Sequence, residues 1–134
     1  MEHAYESDEE LYTKDSPFAV NNAIEIVEMT ENRAVGRLVL GQQHLNGTGI
    51  PHGGMYFAFA DSVFGAATRY LESGVVTLDS SCKYIAAAHL GDELTCTCQE
   101  IAGTRRITHH EARIVNQHGD LIAIAQFTGY RRKH

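Results

Sequence analysis

Hydrophobic positions along this chain follow two different periods, and the change between them organises it. Residues 21–29 and 33–40 are strand-like; in the second run Ala34, Gly36, Leu38 and Leu40 alternate with Val35, Arg37 and Val39, giving one dry face and one mixed face. Thr30, Glu31 and Asn32 between them suit a hairpin turn. Four more strand-like runs, 75–87, 93–101, 105–116 and 121–131, are separated by turn signals at Gly91-Asp92, Gly103-Thr104 and His118-Gly119-Asp120. Turns this short imply antiparallel neighbours.

Between the two sets the period changes. Gly41, Gly47 and Gly49 allow tight backbone paths through residues 41–51, and Pro51 bars a helix from reaching back through it. A helix is expected to start at His52 or Gly53 and to run to about Leu71, with Glu72, Ser73 and Gly74 as its stop. That is about 19 residues, or ~28 Å. Residues 55–67 are apolar nearly all round apart from Asp61 and Ser62, the mark of a helix enclosed on most sides. The order of two strands, one long helix and four strands predicts an α+β fold, a curved antiparallel sheet of about six strands wrapped around a central helix.

Composition sets the limits of that picture. At 134 residues and 43% hydrophobic the chain has material for one core, so a single domain is expected over residues 18–134. Residues 1–17 are acidic, show no hydrophobic period and end in Ser16-Pro17, which reads as a tail or added segment in an extended link. With 11 basic and 17 acidic residues the net charge is −6, which argues against nucleic acid as a partner. No run has the length of a membrane span and the N-terminus has no signal core, so a cytoplasmic location is expected. Cys82, Cys96 and Cys98 read as reduced thiols, and the Cys96-x-Cys98 spacing is not one that structural zinc favours, so no metal is expected. His109 and His110, adjacent on a strand, point to opposite faces and read as structural or surface residues.

One residue does not fit the apolar helix. Asp61 lies on the same helical face as Phe57, Phe64 and Thr68. Burial between the two phenylalanines would raise its pKa and make it a stronger base. The start of the same helix offers N–H groups without intrahelical acceptors and the positive end of the dipole, and Gly53 and Gly54 leave the approach to them open. A base or nucleophile and an oxyanion donor are the parts an acyl-transfer site requires.

The element order, together with His44, Asn46, Gly49, the His52-Gly53-Gly54 triplet and Asp61, resembles the hotdog-fold acyl-CoA thioesterases of the phenylacetate-pathway (PaaI-like) type. The resemblance spans residues 18–130. It implies that the Gly53 amide is the oxyanion donor, with Gly54 as second candidate. It further implies that Asp61 acts as nucleophile or general base, that Asn46 orients water or substrate, and that His52 holds the loop or bonds the thioester region. Thr77 matches a position near the attacking water. Coenzyme A would be part of the substrate, with no separate cofactor, and the chains would form dimers that often pair into tetramers. Arg105 and Arg106 are candidates for the coenzyme phosphates, as is the basic end at residues 131–134. Met55, Phe57 and Tyr84 are candidates to wall the acyl group, beside Tyr56 and Phe59. Where relatives carry proline after the strand-three aromatic, this chain has Tyr84 followed by Ile85 and three alanines.

Geometry adds a constraint of its own. Gly54 and Asp61 are seven residues apart, about 10 Å along a helix, whereas donor and nucleophile must both lie ~3 Å from one reacting group. Two antiparallel helices across a two-fold axis would place the start of one beside Asp61 of the other, so a dimer with two interfacial sites is expected. Two other readings stay open: a hotdog-fold hydratase or dehydratase, which would want a histidine base facing a helical acid, and a non-catalytic acyl-CoA-binding module, which would tolerate an inert residue at 61.

Overall fold

A computed structural model describes residues 7–69 and 74–132. Two short helices, α1 (Asp8–Lys14) and α2 (Pro17–Asn21), precede strands β1 (Ile24–Thr30) and β2 (Arg33–Val39). A 3₁₀ turn (Gln42–His44) and a loop lead into α3 (Gly53–Ala67), followed by β3 (Val75–Tyr84), β4 (Glu93–Gly103), β5 (Ile107–Val115) and β6 (Leu121–Arg131). The strands form one antiparallel sheet in the order β1-β2-β4-β5-β6-β3, and α3 packs on its inner face. This is the hotdog arrangement.

The sheet can approach the helix closely because a glycine faces it. A Cβ on Gly36 would stand 2.5 Å from Val63 Cγ2 and 3.1 Å from the Phe59 ring, both residues being fully buried. Phe64 stacks on Phe127 at 4.6 Å between ring centroids and meets the His110 ring edge-on at 5.2 Å. Cys96 and Cys98 share the inner face of β4, buried and unpaired, and burial pushes the Cys98 thiol up to about 12. The two histidines of β5 do point apart. His110 is buried and bonded through Nδ1 to the Thr108 hydroxyl (3.0 Å), which donates to Glu100 (2.8 Å), whereas His109 is half-buried.

Three expectations need correction. First, the Gly91-Asp92 turn does not make β3 and β4 neighbours: β3 lies at the opposite edge, beside β6. The intervening segment is too long for a hairpin and carries the chain across the end of the sheet. Ile85 and Ala86 donate to Ile122 O, and Gly91 and Asp92 exchange bonds with Leu40 (2.8 and 2.9 Å).

Second, α3 ends at Ala67 and not near Leu71. The Thr68 hydroxyl bonds back to the carbonyls of Phe64 (3.0 Å) and Gly65 (3.2 Å), competing with continuation of the helix. Leu71 and the Glu72-Ser73 stop lie outside the described residues; Gly74 has φ +80°.

Third, residues 8–17 are not an extended link. Ser7 and Glu10 form a reciprocal capping box (3.0 and 3.1 Å), and Asp8, Glu9 and Glu10 complement the dipole of the first turn. Pro17 opens α2 at a position where it lacks no needed donor, capped by Ser16 Oγ. The missing hydrophobic period has a physical reason: α1 buries no residue fully and docks through one half-buried ring, Tyr12, and through hydrogen bonds. Thr13 Oγ1 accepts from Ile26 N–H (3.0 Å) and Glu9 Oε2 from Met29 N–H (3.1 Å), closing the edge of β1.

Candidate active site

The loop before α3 is built around its own polar groups. His44 is buried, its Nδ1 accepting Gly41 N–H (2.9 Å) and its Nε2 lying 2.7 Å from Asn22 O. Asn46 Oδ1 accepts from Thr48 N–H (2.9 Å), the Thr48 hydroxyl (2.7 Å) and Ile50 N–H (3.3 Å), and Leu45 bridges Pro51. The Asn46 oxygen is thereby committed to shaping the loop, as in an Asx-turn. His52 caps α3, with Nδ1 accepting Gly54 N–H at 2.9 Å. Of the two glycine amides the one at Gly54 is therefore occupied. Gly53 N–H, first in the helix, has no intrahelical acceptor. Tyr84 closes over this point, its hydroxyl donating to Gly53 O at 3.1 Å and its ring lying 3.5 Å from where a Gly53 side chain would begin.

Two cavities open along the outward side of α3. One, of about 510 Å³, is lined by Asp61, Thr77, Phe64 and Thr68, with Tyr12 and Phe18 among its further walls. The other, of about 300 Å³, lies at the helix start and is lined by His44, His52, Gly54 and Met55. Phe18 and Ala58 border both. The structure thus brings Asp61 to Thr77, and His52 with Gly53 and Gly54 to Tyr84, but leaves the two groups at different points along one helix. Thr77 sits where the β3–β6 register breaks, between Thr77 and Asp79, a bulge that re-aims the strand.

Asp61 differs from expectation in one respect. In the single chain its side chain is exposed, and Phe57 does not enclose it: that ring turns to the sheet and stacks on Phe127 at 5.9 Å. Phe64 does line its cavity. The protein around the carboxyl still raises its pKa above the ordinary 3.8, through desolvation. Small or polar residues, Gly54, Ala58, Asp61 and Ser62, form an open stripe along α3, which ends at Gly65 under the Tyr12 hydroxyl, while Met55, Phe59, Val63 and Ala67 are buried beneath.

Arg106 lies at the β4–β5 turn, its Nη1 donating to the Tyr130 hydroxyl (3.1 Å), and Tyr130 pairs with Val76 next to Thr77. Arg105 is exposed at the same turn. Among the described residues no three or more His, Cys, Asp or Glu side chains converge as a metal site, and no helix is long and apolar enough to cross a membrane.

This sheet, helix and loop have known relatives. A model of the thioesterase superfamily matches residues 48–123, from the loop through α3 to the start of β6. The chain belongs to the thioesterase superfamily. The acyl-coenzyme A thioesterase PaaI of Escherichia coli is 29% identical over 134 residues, spanning 98% of this thioesterase and 94% of that protein. The solved structure of E. coli PaaI, from the phenylacetic acid degradation operon, matches with a TM-score of 0.80 at 26% identity, over 88% of this chain and 86% of that one. A hypothetical thioesterase of Streptococcus pneumoniae TIGR4, solved with coenzyme A, matches with a TM-score of 0.83 at 29% identity, over 92% and 95% of the two chains. The thioesterase is accordingly a hydrolytic enzyme of this superfamily.

Some of its site was missed in the sequence. Tyr12, Ser16, Phe18 and Gly65 line the Asp61 cavity although none was singled out. The signals were present: Ser7-x-x-Glu10 is a capping box and Ser16-Pro17 a cap followed by a first-turn proline. Either would have placed helices, and so walls, ahead of β1.

Proposed function

We propose that this thioesterase hydrolyses acyl-CoA at two sites formed across a homodimer. The carrying observation is the division of one helix into two half-sites: Asp61 and Thr77 share one cavity at mid-helix, and the Gly53 N–H, without an intrahelical acceptor, lies at the start of α3, about 12 Å away along the axis. Each half lacks what the other supplies, and a two-fold axis between antiparallel copies of α3 joins them. The open stripe of small residues suits a partner helix. The exposed β3 edge, with Val76 44% and Leu78 59% exposed, suits a partner strand, whereas the β1 edge is closed by α1. Two such dimers would pair in the tetramer the family resemblance implies.

In this reading the thioester carbonyl oxygen points at Gly53 N–H of one protomer, where the helix dipole stabilises the developing oxyanion. Asp61 of the partner either takes a proton from the water that attacks the carbonyl carbon, or attacks that carbon itself to give a mixed anhydride that water then hydrolyses to the free acid; Thr77 orients that water. The C–S bond breaks, and coenzyme A leaves as thiolate to be protonated. His52 holds the helix start in place and Asn46 holds the loop. Arg105 and Arg106 face the coenzyme phosphates, while Met55 and Tyr84 border the thioester. Phe57 supports the wall from behind.

The hydratase reading is disfavoured because His52 caps α3 through Nδ1 and the Gly53 N–H beside it, without an intrahelical acceptor, suits an oxyanion. A purely binding module would have no use for an acid whose ionised form its surroundings penalise. The test is thiol release from a panel of acyl-CoA substrates by wild type, Asp61→Ala and Asp61→Asn. Both variants are expected to remain folded and lose most turnover; undiminished turnover would overturn the assignment.

A further inference from the structure

The N-terminal helices take part in the cavity that holds the acid, although the charged segment carrying α1 has the composition of a tail. The Tyr12 hydroxyl reaches from α1 onto α3 at Gly65, one helical turn beyond Asp61 on the same face, and a Cβ on Gly65 would stand only 2.6 Å from that oxygen. A side chain at 65 would push the phenol aside. The helix that carries it is pinned: Thr13 and Glu9, on either side of Tyr12, hold the backbone N–H groups of Ile26 and Met29. Ser16 and Phe18 extend the same wall through α2. A tyrosine ring so placed occupies volume beside the acid that an acyl chain would otherwise fill.

We propose that Tyr12 is a specificity-determining residue, the wall that limits the size of the acyl group admitted beside Asp61. This rests on the proposed interfacial site, and takes the Asp61 cavity, facing the partner's helix start, as the space the acyl chain enters. The phenol acts by shape and stays protonated. Burial, and then the nearby Asp61 carboxylate, raise its pKa above the ordinary 10.0.

The test uses non-hydrolysable S-alkyl-CoA thioethers of increasing chain length, with dissociation constants measured by calorimetry on the full chain. Tyr12→Ala is expected to bind the longer members about tenfold more tightly than wild type, since each added methylene finds apolar surroundings, while short members bind alike. Tyr12→Phe keeps the ring and should follow the wild-type length profile within about twofold. Gly65→Ala pushes the phenol into the cavity and should shorten the longest chain accepted. Adding Tyr12→Phe to it removes the oxygen, leaves the next ring atom 3.9 Å from the new Cβ, and should restore the profile. This pair decides the matter if Tyr12→Ala fails to fold. An unchanged length profile in folded Tyr12→Ala, or in Gly65→Ala, would overturn the proposal. Binding that follows Tyr12 without thiol release from acyl-CoA would sink the hydrolase reading and leave this one standing.

Discussion

The imidazole of His52 accepts the backbone N–H of Gly54 at 2.9 Å, so the first amide of α3 left without an intrahelical or capping acceptor is that of Gly53. The His52-Gly53-Gly54 triplet therefore divides into a cap, a capped residue and the residue proposed as donor. His52→Ala should cost ~1 kcal/mol of stability, the usual value of a lost cap, and reduce turnover because the helix start loosens. His52→Asn supplies another capping oxygen and should recover most of both. Melting curves and kcat for the two variants check this; full stability with no recovered turnover in the asparagine variant would give the imidazole a chemical role beyond capping.

Desolvation raises the Asp61 pKa, and the sign of that shift fixes two outcomes. The proposed chemistry uses Asp61 as carboxylate, so kcat/KM should fall on the acid side with a midpoint above 3.8. Stability runs the other way. Between the ordinary and the raised pKa the folded state holds a proton that the unfolded state has released, so stability declines as pH rises through that window. Asp61→Asn should melt higher than wild type at pH 7, with the difference shrinking at pH values below the ordinary carboxylate pKa.

His110 offers a pH dependence unconnected with the chemistry. Desolvation lowers its pKa from 6.5 to about 4, against the opposing pull of the Glu100 carboxylate and with Arg131 and His109 adding to the depression. The unfolded state takes up a proton first, so this group's contribution is complete above about 6.5 and is lost as pH falls towards 4, by up to ~3 kcal/mol. Denaturant unfolding of wild type and His110→Asn between pH 4 and 7 should show a shallower acid loss in the variant. Equal slopes would mean that His110 is not the group responsible.

The open edge of β3 leads to a prediction about assembly. Leu78 is 59% exposed at the bulge and Val76 44%, both beside Thr77. Leu78→Lys places charge on the edge that the proposed partner covers, and should shift the protein to monomer in sedimentation while abolishing turnover. A monomer of full activity would show that one chain suffices.

Strands such as β2 and β5 and the buried helix were legible because their apolar periods are undisturbed: Ala34, Leu38 and Leu40 fall on the inner face, as their alternation required. The position of β3 was not, because strand pairing depends on where the 85–92 segment leads, and that is fixed by bonds to Ile122 and Leu40 far along the chain. The role of α1 was hidden for a different reason. Its docking uses Thr13 and Glu9 as acceptors for a sheet edge and a single ring, Tyr12, on the core, which leaves no hydrophobic period to read. Asp61 stood out as an acid in an apolar stripe, yet its stripe is partly an open face, and Phe57 points away from it.

The claim that most needs testing is that Asp61 of one chain serves Gly53 of the other. Gly53→Pro removes only the proposed donor, since proline is favoured at the first helical position and His52, at φ −66° and ψ 130°, already has the extended conformation that a following proline demands. Asp61→Ala and Gly53→Pro should each be inactive alone. Unfolded together and refolded as a mixture, they should form hybrid dimers in which one site combines two intact halves, so that about a quarter of wild-type thioesterase activity returns. A mixture as inactive as its components would contradict the account, because it would place Asp61 and Gly53 of each site in the same chain.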